Sequence, residues 1–317
     1  MRTDKGLALI VVLWVITLLT IMASSFSLTI QRETAITSGI KERAEARALA
    51  EAGINYATLM LLAQDKELRW QAFDSLYEIE YAGKRIRIQI ADESGKLNIN
   101  LATKEQILQL LSSFVIHESL VIDEAHVIDE SLVDSLSDAI IDWRDKNDIQ
   151  MPNGAEKQQY AEADLKYEPR NANFKSIEEL QMVIGMTSEI YQQMEDMISI
   201  YTKNKQINPT TATRTMLLTL PDISDEMVDE YLQQRIENER NGETVSQPAW
   251  FKGSASNSNV YMIISEAMID KNISEKIMAV IKKTRARSGL PFEIVKWSTD
   301  HQMPSLFLPD NDERVVN

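Results

Sequence analysis

Residues 7–63 hold no proline and only two glycines, Gly39 and Gly53, and this stretch constrains the fold more than anything after it. Its first seventeen residues, Leu7–Ala23, carry no charge. Extended through Phe26, Leu28 and Ile30, the run is long enough to cross a bilayer as a helix. Beyond it, Ile36, Ile40, Ala44, Ala48, Leu49, Ala52, Tyr56, Leu59 and Met60 recur at three- and four-residue steps. Arg32, Glu33, Lys41, Glu42, Arg43, Glu45, Arg47 and Glu51 fill the other positions. The spacing predicts one continuous helix, apolar all round at first and amphipathic afterwards.

Before the apolar run stands a short head with Arg2 and Lys5, ending at Gly6. A cleaved secretory signal would need a cut near Ala23-Ser24-Ser25, yet the helical pattern does not break there. An ordinary anchor gives no reason for a glycine between the basic head and the apolar run. Lys5-Gly6 followed by Leu7-Ala8-Leu9-Ile10-Val11 resembles the start of a type IV pilin or pseudopilin. The resemblance implies a prepilin peptidase that cuts between Gly6 and Leu7 and leaves the helix in place. Such a cut takes away a net +1 and leaves a chain of charge −16. Basic residues stay on the cytoplasmic side, which puts the rest of the chain in the periplasm on a single pass through the inner membrane.

One position departs from the pilin pattern. Most members of that family carry a glutamate at the fifth mature residue, where it neutralises the amino terminus of a neighbouring subunit. Here that residue is Val11. A carboxylate without such a partner is costly in an apolar core, so valine suits a subunit with no neighbour above it. Lacking this glutamate is characteristic of the minor pseudopilin K family of the type II secretion system.

The remainder of the chain is similar to that family. Tyr77, Ile79 and Tyr81 alternate with charged residues, Ala82-Gly83-Lys84 supplies a turn, and Ile86, Ile88 and Ile90 alternate again. This predicts a hairpin. Strand signals then vanish for about 150 residues and return at Val260–Ile269, Ile273–Lys283 and Phe292–Trp297. The expected fold is α+β, type IV pilin-like, with a large all-α domain inserted between strands. The divisions are a leader 1–6, a membrane segment 7–30, a pilin-like helix and hairpin 31–100, an insert 101–255, the remaining strands 256–298, and a disordered tail 299–317.

Inside the insert, Asn98-Ile99-Asn100 before Ala102-Thr103 is echoed by Asn208-Pro209-Thr210 before Ala212-Thr213, about 110 residues later. These stretches also resemble helix-hairpin-helix modules, which grip nucleic-acid backbone, and a membrane-anchored DNA receptor is the function that competes. Leu220-Pro221-Asp222-Ile223-Ser224-Asp225-Glu226 places acids where such modules have glycines. The whole chain has 48 acidic against 33 basic residues, a balance that repels phosphate. No nucleic acid is expected.

Asp142-Trp143-Arg144-Asp145-Lys146-Asn147-Asp148, then Asn153-Gly154-Ala155-Glu156 and Tyr160, is the densest chemical constellation. Hard oxygen donors in a loop closed by a later carboxylate suit calcium. Asp145-x-Asn147 opens like an EF-hand loop, but Ile149 and Gln150 occupy positions that such a loop gives to an oxygen ligand and a glycine. The pseudopilin K family has a similar segment and holds calcium there. The resemblance therefore implies Asp142, Asp145, Asp148 and Glu156 as ligands, with Asn147 beside them. Asp129, Asp134 and Asp138 read as a solvent-facing helix edge. There are no cysteines, three scattered histidines (His117, His126, His301), and none of the nucleophile, zinc or phosphate-loop motifs, so no enzyme is expected. The resemblance implies minor pseudopilins I and J as partners, together with other pseudopilus and inner-membrane secretion components. A minor pilin of a type IV pilus remains the closer rival.

Overall fold

The structure, a computed structural model, describes residues 4–65, 68–116, 130–241, 243–253, 256, 258–270, 273–284, 291–299 and 304–316. Asp129 and all three histidines lie outside these residues.

Helix α1 runs unbroken from Asp4 to Leu61, 58 residues, or about 87 Å at 1.5 Å per residue. In its apolar first half Thr17, Thr20 and Thr29 donate to carbonyls four residues back. Its second half docks on a sheet, through Ala46, Leu49, Ala50, Gly53, Ile54, Ala57 and Leu61. The expected stripe is mostly not the buried one. Of its nine residues only Leu49 is fully buried, while Ile36, Ile40, Tyr56 and Leu59 are exposed. Small residues decide the face: a Cβ at Gly53 would lie 2.2 Å from Ser265 Oγ and 3.0 Å from Ile86 Cγ2.

The hairpin forms as expected. Strand β1 (Phe73–Tyr81) and β2 (Lys84–Asp92) pair antiparallel across a turn whose Ala82 and Gly83 both have positive φ, 52° and 74°, as tight hairpins require. The chain then leaves the sheet for 167 residues, 93–259, and returns in β5 (Val260–Asp270) directly beside β2. The excursion comprises β3 (Leu97–Asn98), α2 (Lys104–Ile116), α3 (Glu130–Arg144), α4 (Lys157–Glu162), α5 (Ser188–Glu195), β4 (Ile198–Ser199), α6 (Arg214–Leu218) and α7 (Asp225–Arg240). It has its own core, which begins at Leu97 and is separate from the core between α1 and the sheet. The β3–β4 pair inside it, two residues each, is too short to have a period-two signature.

Strands β6 (Ile273–Lys283) and β7 (Phe292–Ser298) complete the antiparallel run, and β8 (Val315–Val316) adds a parallel edge to β1. The order is β7-β6-β5-β2-β1-β8. α1 lies over β5 and β6 and reaches β2.

The expectation of a disordered tail fails for residues 304–316. Leu306 is buried against Leu76, Met262 and Val280 on the sheet face away from α1. Two charged residues paired across β2 and β5 hold it there: Arg87 donates to Leu306 O (2.8 Å), and Glu266 accepts from Leu306 N (2.6 Å) and Ser305 Oγ. Phe307 lies under the Arg87 guanidinium, 4.9 Å from the ring centre. A polar segment is ordered here because its partners were already buried in the sheet.

Candidate functional site: an acidic loop at the end of α3

The inserted domain is built on two matching turns. Asn98 O accepts from Leu101 N and Ala102 N (3.0 and 2.8 Å), and Asn208 O accepts from Thr211 N and Ala212 N (3.1 and 3.0 Å). The side chains match as well. Asn98 Oδ1 accepts from Asn100 N and Asn208 Oδ1 from Thr210 N, the local turn Asn forms readily. Thr103 and Thr213 then cap α2 and α6. An arginine from the following helix closes each turn: Arg144 donates to Ile99 O and Ala102 O, and Arg235 donates to Ala212 O (2.7 Å) and Pro209 O. The echo is therefore structural, and sequence reading missed the arginines. Burial pulls Arg144 down to about 10, against the opposing charge of Asp145.

The acidic loop starts at this same arginine. Asp142, in the last turn of α3, is fully buried and accepts from Met151 N on both oxygens (3.1 and 3.2 Å). A Cβ at Gly154 would lie 2.1 Å from Asp142 Oδ2, so only glycine lets the loop close this tightly. Glu156 is 6% exposed, and neither of its buried carboxylate oxygens has a hydrogen-bond partner. Burial pushes Glu156 up to about 7, and the charges of Asp142, Asp145 and Asp148 add to it. Burial likewise pushes Asp142 up to about 6, with Asp145 and Asp138 contributing. Trp143, Tyr160 and Phe174 form an aromatic floor, and Tyr160 Oη accepts from Ile184 N (2.9 Å).

The expected ligands thus divide. Asp142 and Glu156 come together as buried, like-charged groups, with half-buried Asp145 beside them. Asp145 and Asn147 each spend an oxygen on an amide two residues on (3.0 and 2.8 Å), and Asp148 accepts from Asn171 Nδ2 (2.6 Å). Asn147 and Asp148 are exposed. Among the described residues no group of three His, Cys, Asp or Glu side chains is disposed to hold a metal ion as they stand. The donor set still fits a hard cation: two orphaned buried carboxylate oxygens face other carboxylates, an arrangement that is costly without one.

Asp138 corrects the expected solvent-facing edge of α3. It is fully buried and bound by Lys104 Nζ (2.6 Å) and Asn153 N (3.1 Å). Asp134, partly exposed, shares the same lysine at 2.9 Å. Lys104 from α2 is what makes this burial possible, and hydrogen bonding to Asp138 raises the lysine in turn.

The processing and assembly positions lie on α1, which already includes Gly6 and Leu7. Val11 is exposed on the apolar half. That half is the one candidate membrane span among the described residues and fits a single-pass anchor.

A long anchored helix on an antiparallel sheet, with a helical domain grown from one inter-strand connection, defines a pilin-like chain. The family described as type II secretion system (T2SS), protein K matches residues 95–203. Type II secretion system protein K of Pseudomonas aeruginosa is 25% identical over 250 residues, 74% of this chain and 73% of that one. The protein of the same name from Dickeya chrysanthemi is 28% identical over 106 residues, 32% of this chain and 29% of that one. Among solved structures, a chain of the GspK-GspI-GspJ complex from the enterotoxigenic Escherichia coli type 2 secretion system matches in fold. The TM-score is 0.55 at 14% identity, over 86% of this chain and 99% of that one. The chain is thus similar to type II secretion system protein K over most of its length, and these matches support a minor pseudopilin of that system.

Proposed function

We propose that this minor pseudopilin sits at the tip of the pseudopilus, where it starts or caps assembly and catalyses no reaction of its own. The observation that carries this reading is the insert between β2 and β5, a second domain with its own core. Stacked heads in a filament body leave no room for it, whereas a tip position does. Val11 supports the same place, since it offers no carboxylate to a subunit above. Minor pseudopilins I and J are the partners, a reading supported by the similar solved chain, which belongs to a GspK-GspI-GspJ complex. Prepilin peptidase cuts between Gly6 and Leu7, and the head lies in the periplasm on an inner-membrane anchor. Asp142, Asp145 and Glu156 hold calcium, with Asp148 and Asn147 reaching it by a shift of the loop. The ion supplies charge compensation and order to the insert.

Nucleic acid has little to grip. Gly185 and Asp222 take the positive-φ place in the two hairpin turns (φ 86° and 60°), and Arg214 beside the second is bound by Asp225 and Asp229. A type IV pilus role shares the helix and sheet, but the insert and Val11 favour secretion.

The test is a label on the functional full-length protein. Label confined to one filament end supports the tip, and uniform label along the shaft refutes it. Amino-terminal sequencing checks processing: a mature start at Leu7 is expected, and a start near Ser24 would restore the secretory signal.

A further inference from the structure

Residues 304–316 are held on the sheet much as a ligand is held on a receptor. They cross the face away from α1, and four neighbouring strands each contribute a contact. Lys276 of β6 donates to Pro304 O (2.8 Å), and Glu266 of β5 accepts from Ser305 Oγ and Leu306 N. Arg87 of β2 donates to Leu306 O, and Asp74 of β1 accepts from Arg314 (3.1 Å).

The receiving groups are fixed without this segment. Arg87 donates to Glu78 (2.6 Å), and Ser274 donates to Glu266 (2.8 Å). Arg87 and Glu266 are each only 2% exposed. Burying two charges is costly unless their hydrogen bonds are met. Here they are met in part by the main chain of one residue, its N–H on one side and its C=O on the other. A leucine that needed only an apolar contact would use neither charge. The clamp therefore reads extended backbone. Beside it, Leu306 fills a pocket with Leu76, Met262 and Val280, and Phe307 lies under Arg87 and Arg85 (4.9 and 5.2 Å to the ring centre).

We propose that this face is a peptide-binding site with residues 304–316 as its resident, displaceable occupant, and that it accepts from outside an extended protein segment bearing leucine followed by an aromatic residue. Competition is decided at the edge of β1. Among the described residues, β8 pairs with only Leu76 and Tyr77 of the nine residues of β1. An incoming strand in the same parallel register that runs past the place of Val316 would pair with Glu78–Tyr81 as well. In strand addition, main-chain pairing supplies affinity and side-chain pockets supply choice. Attachment favours the resident segment, because a tethered ligand competes at an effective concentration on the order of millimolar. The site thus stays closed to short or poorly matched segments and yields to a longer match.

The test uses the full-length chain in detergent, with a specific protease site inserted between His301 and Gln302 so that the tether is cut after folding. The probe is a fluorescent peptide of residues 304–317. Cut protein should bind it saturably and release its own tail, detected by mass. Uncut protein should bind it about tenfold more weakly or worse. The same peptide carrying Leu306→Asp should lose about tenfold or more in affinity, as should Glu266→Gln in the protein. The Leu306→Asp change is in the peptide alone, so that comparison holds even where the protein variant fails to fold. A peptide of residues 304–316 continued by alternating threonines and valines should displace the tail better than the first peptide. A tail that stays in place after cutting and admits no peptide would be a fixed part of the fold and would overturn the proposal. So would equal binding of the Leu306→Asp peptide, or a longer peptide that binds no better.

Discussion

The two arginine-closed turns of the insert share a frame and differ in the residues that flank the arginine. Asn98 and Asn208 fold the same turn, and Arg144 and Arg235 close it on the same two backbone positions. When the arginines are superposed, Asp142 and Asp145 correspond to Gln233 and Ile236. One copy has become a charged loop, and the other has remained a scaffold. The frame thus persists without the carboxylates, and whatever the carboxylates do is additional to folding the turn.

The largest expected effect breaks the frame itself. Arg235→Ala removes a buried guanidinium from three carbonyls and should cost about 2–4 kcal/mol, since hydrogen bonds to charged groups contribute most. Arg144→Ala, less buried, should cost somewhat less. Chemical denaturation of the full chain in detergent measures both. If the two turns are equivalent supports, Arg235→Ala keeps any response to calcium; loss of that response would make the comparison wrong.

Next comes the ion. At a hundredfold excess over Kd, calcium should stabilise the protein by about 2.7 kcal/mol. Glu156→Gln should reverse the order of stabilities. In chelator the variant should match or exceed the parent, because an unpartnered buried charge is gone. With calcium the parent should win. Melting curves with and without the ion decide this, and identical curves for both proteins in both buffers would remove the site.

The smallest effect is on pH, in chelator. Burial holds Glu156 near 7 and Asp142 near 6 in the folded state, above their ordinary values of 4.5 and 3.8. The folded state therefore binds protons more tightly than the unfolded state, and stability falls as pH rises from about 4 through 7. The slope is at most about 1.4 kcal/mol per pH unit for each proton. Calcium should flatten it, as should Glu156→Gln. A slope of opposite sign in the calcium-free protein would contradict the buried geometry.

Much of the frame could be read from the sequence, for reasons that differ by element. β6 matches its expected ends, Ile273 and Lys283, because a strand buried on both faces leaves a short continuous apolar run, here Ile277–Ile281, between polar flanks. The first helix was legible as a helix but not in its docking face. Apolar bulk pointed to Ile36, Ile40 and Leu59, whereas the buried face is lined by the small residues Ala46, Ala50, Gly53 and Ala57, with Gly53 close against Ser265. Order in the tail depends on Arg87 and Glu266, more than thirty residues away in sequence, and nothing local announces it. The arginines stand 46 residues after Asn98 and 27 after Asn208, so a search at fixed offset passes over them. At the acidic loop, composition found the residues but not their division: Asn147 and Asp148 have exposed side chains that brace the loop's own surroundings.

The adjacency of β2 and β5 also sets an order of events during folding. β2 emerges from synthesis with one side unpaired and has to wait 167 residues for its neighbour. Closing a flexible loop of that length costs about 4–5 kcal/mol in chain entropy. A folded insert avoids most of this, because its ties bring the ends together: Ser94 O accepts from Asn208 N (2.8 Å), Asn204 Nδ2 donates to Ser256 O (2.8 Å), and Asp92 accepts from Ser258 Oγ (2.7 Å). The late, large domain is thus best made first, and the head assembles around a hinge that the insert has drawn shut.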